Sequence, residues 1–156
     1  MTLSNFTAMT KPPSSFSTAR HEAFDWRGMK LLLVEDTEDH QCLMSAMLCD
    51  TGIDMSIVGR GEEAIAAVED ADDVSRAFDV VLMDIRLPTM DGYETTRRLR
   101  ALGYAGPIVA ITARVMREEV SRCLASGCDV CLAKPFDRAT LFDSLSGLFV
   151  GIESDC

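Results

Sequence analysis

Short apolar runs alternate along this chain with segments whose apolar residues recur at helical spacing, and the alternation begins at Met29. "KLLLV" (30–34) is continuous enough for a strand buried on both faces, and Leu43, Met44, Met47 and Leu48 then repeat as one helical face. A second strand, "DMSIV" (54–58), precedes a helix marked by Ala64, Ile65 and Val68. A third strand runs from Phe78 to Met83, and Asp91-Gly92 opens a helix that turns Thr95, Leu99 and Leu102 inward and Arg97, Arg98 and Arg100 outward. "PIVAI" (107–111) is the fourth strand, followed by a helix carrying Met116, Val120, Cys123 and Leu124 inward and stopped by Gly127. "DVCLA" (129–133) is the fifth, and Leu141, Phe142, Leu145, Leu148 and Phe149 belong to the last helix.

Five strand–helix units with near-continuously apolar strands predict an α/β fold, a parallel sheet with helices on both faces. The segment before it reads differently. Residues 1–28 are rich in Ser, Thr and Pro and predict a flexible extension, although Phe24 and Trp26 could dock on the body; residues 29–150 form the domain and 151–156 a short tail.

Composition narrows the function. A length of 156 residues, 47% of them hydrophobic, suits one domain with its own core. No apolar run approaches the roughly 18 residues that cross a bilayer, and the start lacks signal-peptide character, so a cytoplasmic protein with no membrane span is expected. A net charge of −10 argues against a nucleic-acid surface. Of the six cysteines, Cys128 and Cys131 have metal or redox spacing, but no second pair or histidine accompanies them, and buried reduced thiols are expected. His21 and His40 read as isolated, solvated side chains. No glycine-rich fingerprint follows the first strand, which speaks against nucleotide or flavin binding.

In open parallel sheets the site lies beyond the carboxyl ends of the strands. Glu35 and Asp36 follow the first strand, Asp84 the third, Thr112 the fourth and Lys134-Pro135 the fifth, so three carboxylates, a hydroxyl and a lysine are expected on one edge. Clustered carboxylates repel, and a hard divalent cation such as Mg2+ relieves that repulsion best. A carboxylate attacking a phosphoryl group, with metal and lysine offsetting charge on its oxygens, uses every member of the set. Asp84 is the expected phosphoryl acceptor.

These pieces, "LLLVEDTEDH", "VVLMDIRLPTMDGYE", "PIVAITAR" and "CLAKPF", together resemble the receiver domain of two-component response regulators over residues 29–150. The resemblance implies a five-stranded, flavodoxin-like sheet in the order 2-1-3-4-5. It implies Asp36 as a direct Mg2+ ligand, Glu35 acting directly or through water, Asp84 as both phosphoacceptor and ligand, and the backbone carbonyl of Arg86 as a further ligand. Thr112 resembles the switch hydroxyl, Lys134 the lysine that contacts the phosphoryl group, and Pro135 a proline often preceded by a cis peptide.

Three positions depart from the family pattern. Glu35 stands where many relatives have Asp. Cys131 stands where most have an aromatic residue that moves with the switch. Arg86 and Arg114 border the expected path of hydrolytic water and are candidate modulators of phosphoryl lifetime. The implied function is that of a single-domain response regulator that catalyses its own phosphorylation and slow dephosphorylation rather than acting on a separate substrate. Its donor would be a histidine kinase or histidine phosphotransfer protein, and a downstream protein target would read the modification. Alternatives are a phosphorylation-independent interaction module, or a receiver fragment of a hybrid histidine kinase. Val115, Met116 and Ala133 near the fourth helix and fifth strand also allow a homodimer.

Overall fold

The computed structural model describes residues 25–154. Five parallel strands, β1 (Lys30–Val34), β2 (Asp54–Val58), β3 (Val80–Asp84), β4 (Ile108–Thr112) and β5 (Val130–Ala133), pair in the order β2-β1-β3-β4-β5. The helices between and after them are α1 (Glu38–Leu48), α2 (Gly61–Glu69), α3 (Gly92–Leu102), α4 (Arg117–Ser126) and α5 (Arg138–Ser154), with a short 3₁₀ turn at Val74–Arg76. Both the parallel sheet and its strand order agree with the expectation from sequence.

Side chains alternate across a strand, so one sheet makes two cores. Leu31, Leu33, Val80, Leu82, Val109, Ile111, Val130 and Leu132 point toward Met44 and Leu48 of α1 and Leu141, Phe142 and Leu145 of α5. Leu32, Val34, Val81, Met83, Ile108, Ala110 and Cys131 point the other way, toward Ala64 and Val68 of α2, Leu99 of α3, and Val120 and Cys123 of α4. Burial on both faces explains why the central strands carry no polar alternation. Edge strand β2 is largely exposed or half-buried, and its Asp and Ser fit that position.

Asp84 and Thr112 are the last residues of their strands rather than the first residues after them. The ladder extends further than apolarity suggests, because Ile85 N–H donates to Ile111 O at 3.0 Å and Lys134 N–H to Thr112 O at 2.8 Å. Several helical faces are narrower than expected. Leu43 is 53% exposed, and Leu102, Met116 and Leu124 are exposed as well, because their neighbours Met44, Leu48, Leu99, Val120 and Cys123 already fill the space against the sheet. Cys42 and Cys49 are exposed too, while Cys123, Cys128 and Cys131 are buried.

Arg100 is the opposite correction. Its guanidinium turns inward to donate to the carbonyls of Gly127 (3.0 Å), Tyr104 (2.9 Å) and Gly106 (2.7 Å), and pairs with Asp129 at 2.9 Å. It thereby satisfies loop carbonyls that have no ladder partner.

Two ends of the domain also differ in detail from composition. Trp26, inside the segment read as an extension, is buried edge-on against Phe142 with ring centroids 5.2 Å apart. The backbone of α5 continues to Ser154, through part of the segment read as a tail. Residues 1–24 of the extension, including His21 and Phe24, and Cys156 lie outside the described residues. Among the described residues no helix is long and apolar enough to cross a membrane.

Candidate phosphoacceptor site

The C-terminal ends of β1, β3, β4 and β5 bring Glu35, Asp84, Thr112 and Lys134 to one edge of the sheet. Glu35 and Asp84 are 2% and 5% exposed, which is unusual for carboxylates and requires partners. Lys134 Nζ supplies them, lying 3.1 Å from Glu35 Oε1 and 3.0 Å from Asp84 Oδ2. Backbone N–H groups orient the two acids. Thr37 N–H donates to Glu35 Oε2 at 3.1 Å and Arg86 N–H to Asp84 Oδ1 at 2.9 Å.

One ammonium does not balance two buried carboxylates. Burial, and next the neighbouring Glu35, push the Asp84 carboxyl from 3.8 up to about 6. Against its own burial Glu35 is held below its ordinary value by the hydrogen bond to Asp84, the Thr37 N–H and Lys134. Lys134 is held above its ordinary value: burial opposes this, but the two carboxylates outweigh it. The surplus negative charge on hard oxygen donors fits a divalent cation such as Mg2+. Glu35, Asp84 and His40 present ligand atoms within 4.8 Å of one another.

His40 is one of the site residues that the sequence reading missed. Rather than standing alone in solvent, it lies on the first turn of α1, with Nδ1 3.0 Å from Lys134 Nζ and 3.4 Å from Glu35 Oε2. The available signal was its place five residues after Glu35, within reach once the chain turns into a helix. Asp36, by contrast, is exposed at the rim and outside the cluster of converging donors.

Thr112 is buried beside the acids, and its Oγ1 accepts from Arg114 N–H at 3.3 Å. With Arg86, Arg114, Tyr93 and Arg122 it lines a cleft of about 330 Å³. Tyr93 was also missed. Its ring lies under the Arg122 guanidinium, 4.1 Å from centroid to Cζ, and burial pushes its hydroxyl up to about 12, so it stays protonated. Cys131 is fully buried with Sγ 3.4 Å from Cys123 Sγ. The neighbouring Cys128 thiol is pushed up by Cys123 and by burial, which suits inert core thiols.

The floor of the site depends on Gly92, at the start of α3. Its N–H donates to Ile85 O at 2.8 Å, and a Cβ there would meet Asp84 O at 2.5 Å and Ile85 Cα at 2.7 Å. Those are main-chain atoms that cannot swing aside. Gly92→Ala is therefore expected to lower stability by about 1–3 kcal/mol, measured by denaturant titration, and to displace the Asp84 backbone. The Lys134–Pro135 peptide is cis.

Comparison with known proteins gives the same edge a context. Residues 31–146 match the response regulator receiver domain model. The sensor histidine kinase RcsC of Salmonella typhimurium is 36% identical over 118 residues, covering 76% of this chain and 12% of that protein. A two-component response regulator of Oryza sativa subsp. japonica is 34% identical over 113 residues, covering 72% of this chain and 88% of that protein. The chain spans only about an eighth (12–14%) of the histidine kinases among these relatives. Among solved structures, the receiver domain of a Pseudomonas aeruginosa sensor histidine kinase, with magnesium coordinated in its active-site cleft, is 37% identical with a TM-score of 0.70. That match covers 79% of this chain and 98% of the solved one. On this evidence of sequence, strand order and shape, the chain belongs to the response regulator receiver domain family of two-component systems.

Proposed function

We propose that this chain accepts a phosphoryl group on Asp84 from a phosphohistidine of a histidine kinase or histidine phosphotransfer protein, and signals by phosphorylation-dependent binding to a downstream protein. The observation that carries the reading is the buried Asp84 carboxylate with Lys134 Nζ 3.0 Å from Oδ2 and Thr112 on the adjoining strand. As an Asp84 oxygen bonds to phosphorus, the phosphorus–nitrogen bond of the donor breaks. The donor imidazole leaves and takes up a proton, so that only the phosphoryl group changes hands.

Asp84 must attack as the carboxylate, and Lys134 keeps it in that form while offering N–H groups to the phosphoryl oxygens. The Arg86 N–H on Oδ1 fixes the carboxyl plane, which leaves Oδ2 directed at Lys134. Glu35, Asp36, Asp84 and the Arg86 carbonyl are the groups that would hold Mg2+, with Asp36 contributing from the rim. Bound there, a divalent cation would offset charge on the transferring oxygens. Thr112 Oγ1 donates to the phosphoryl group once it arrives. Because Cys131 supplies no ring, the change is relayed through Thr112 and the loop after β4, and a phospho-mimic complex is expected to shift residues 112–118.

Arg86 and Arg114 line the cleft beside Thr112 and shield the acyl phosphate from water. Arg86→Ala and Arg114→Ala are each expected to speed loss of the phosphoryl group by about 3- to 10-fold, equivalent to roughly 1 kcal/mol of barrier, in a decay assay. Unchanged decay in both would remove that role. The reading as a whole is tested by transfer from a labelled phosphohistidine donor. Label is expected on the wild-type chain and not on Asp84→Asn. A second reading, a receiver of a hybrid histidine kinase, is favoured by the sensor histidine kinases that the chain resembles over 76–80% of its own length.

A further inference from the structure

The site contains a donor that phosphoryl acceptance does not use. His40 Nδ1 lies 3.0 Å from Lys134 Nζ and 3.4 Å from Glu35 Oε2, so a ring nitrogen that can offer a lone pair stands among the charged groups of the site. The same Nζ lies 3.1 Å from Glu35 Oε1 and 3.0 Å from Asp84 Oδ2. Lone pairs from β3, from the residue after β1 and from the first turn of α1 thus converge on one cationic atom. The fixed parts of this arrangement come from the backbone: Thr37 N–H holds the Glu35 carboxylate and the Gln41 amide donates to Glu35 O at 2.6 Å, which ties the start of α1 to the end of β1.

Magnesium gains little from an imidazole, whereas Co2+, Ni2+ and Zn2+ bind nitrogen donors far better than it does. We propose that His40 makes this cleft a mixed nitrogen–oxygen site in which a dication takes the place of the Lys134 ammonium among His40 Nδ1, Glu35 and Asp84, leaving Nζ to the phosphoryl oxygens, and that this site takes a first-row transition-metal dication in preference to Mg2+. The proposal rests on the reading that the cleft holds a divalent cation.

The test uses the full chain with Cys42, Cys49 and Cys156 replaced by serine, which removes thiols that would compete for the metal. Co2+ and Mg2+ are titrated calorimetrically, and Mn2+ loaded into the same protein is read by pulsed electron paramagnetic resonance for coupling to nitrogen. The parent is expected to show nitrogen coupling. His40→Ala is expected to lose it and to lower the ratio of Co2+ to Mg2+ affinity at least tenfold; His40→Gln, which keeps a polar side chain, should behave like alanine. No nitrogen coupling in the parent, or an unchanged ratio in both variants, overturns the proposal while leaving Mg2+ binding and the phosphoacceptor reading intact. Failure of the parent to bind either cation overturns both.

Discussion

Lys134→Ala is expected to slow phosphoryl uptake by about 10²- to 10³-fold with the fold retained. The magnitude follows from removing a preorganised cationic donor from a site where charge develops on phosphoryl oxygens. Two buried acids depend on this single ammonium, at 3.0 and 3.1 Å, so its loss also leaves their repulsion unrelieved. Asp84 then binds its proton more tightly and is less often the nucleophile. A rate measured against pH separates the two effects. Part of the loss should recover as pH rises and Asp84 ionises, while the part due to the missing contact to the phosphoryl group should not. Lys134→Arg is expected to recover little, because a planar guanidinium cannot replace a compact ammonium between two carboxylates.

Asp84→Asn is expected to stabilise the metal-free protein at pH 7.5, by about 1–2 kcal/mol. Burial and Glu35 raise the Asp84 carboxyl from 3.8 to about 6. An acid whose value is raised on folding holds its proton more tightly in the folded chain. Native stability therefore falls as pH rises from about 4 to 6 and stays lowered above that. The full shift corresponds to about 3 kcal/mol, and loss of the Lys134 contact in the variant removes part of the gain. The advantage of asparagine should shrink as pH falls below about 6 and vanish near 4. Glu35 works in the other direction: its lowered value stabilises the fold above about 4.5 and that contribution is lost in acid by both proteins. Thermal melts of the two proteins from pH 4 to 8 check the sign. Added Mg2+ should narrow the gap from the wild-type side, since it binds only the folded, ionised site.

The parts of this molecule that were legible in sequence are those that depend on periodicity and strand ends. Leu31, Leu33, Val81 and Met83 could only belong to strands buried on both faces, and once five such runs alternate with helices, the acids and Lys134 must share an edge. Positions set by packing between elements were less legible. Leu43 and Met44 look equivalent in a helical pattern, yet only Met44 reaches the sheet. Arg100 looks like its exposed neighbours Arg97 and Arg98, and only the approach of the loops at Gly106 and Gly127 gives it carbonyls to bind. His40 needed the turn of α1 to bring it back over the end of β1. Trp26 lay within a stretch whose composition suggested an extension, and its burial depends on Phe142, more than a hundred residues along the chain.

The central claim is that Asp84 is the phosphoryl acceptor, and intact mass after incubation with Mg2+ and acetyl phosphate tests it most directly. A single phosphoryl adduct in the wild-type chain that is absent from Asp84→Asn is the expected result. An adduct that persists in Asp84→Asn would contradict the claim, as would no adduct from either acetyl phosphate or a phosphohistidine donor.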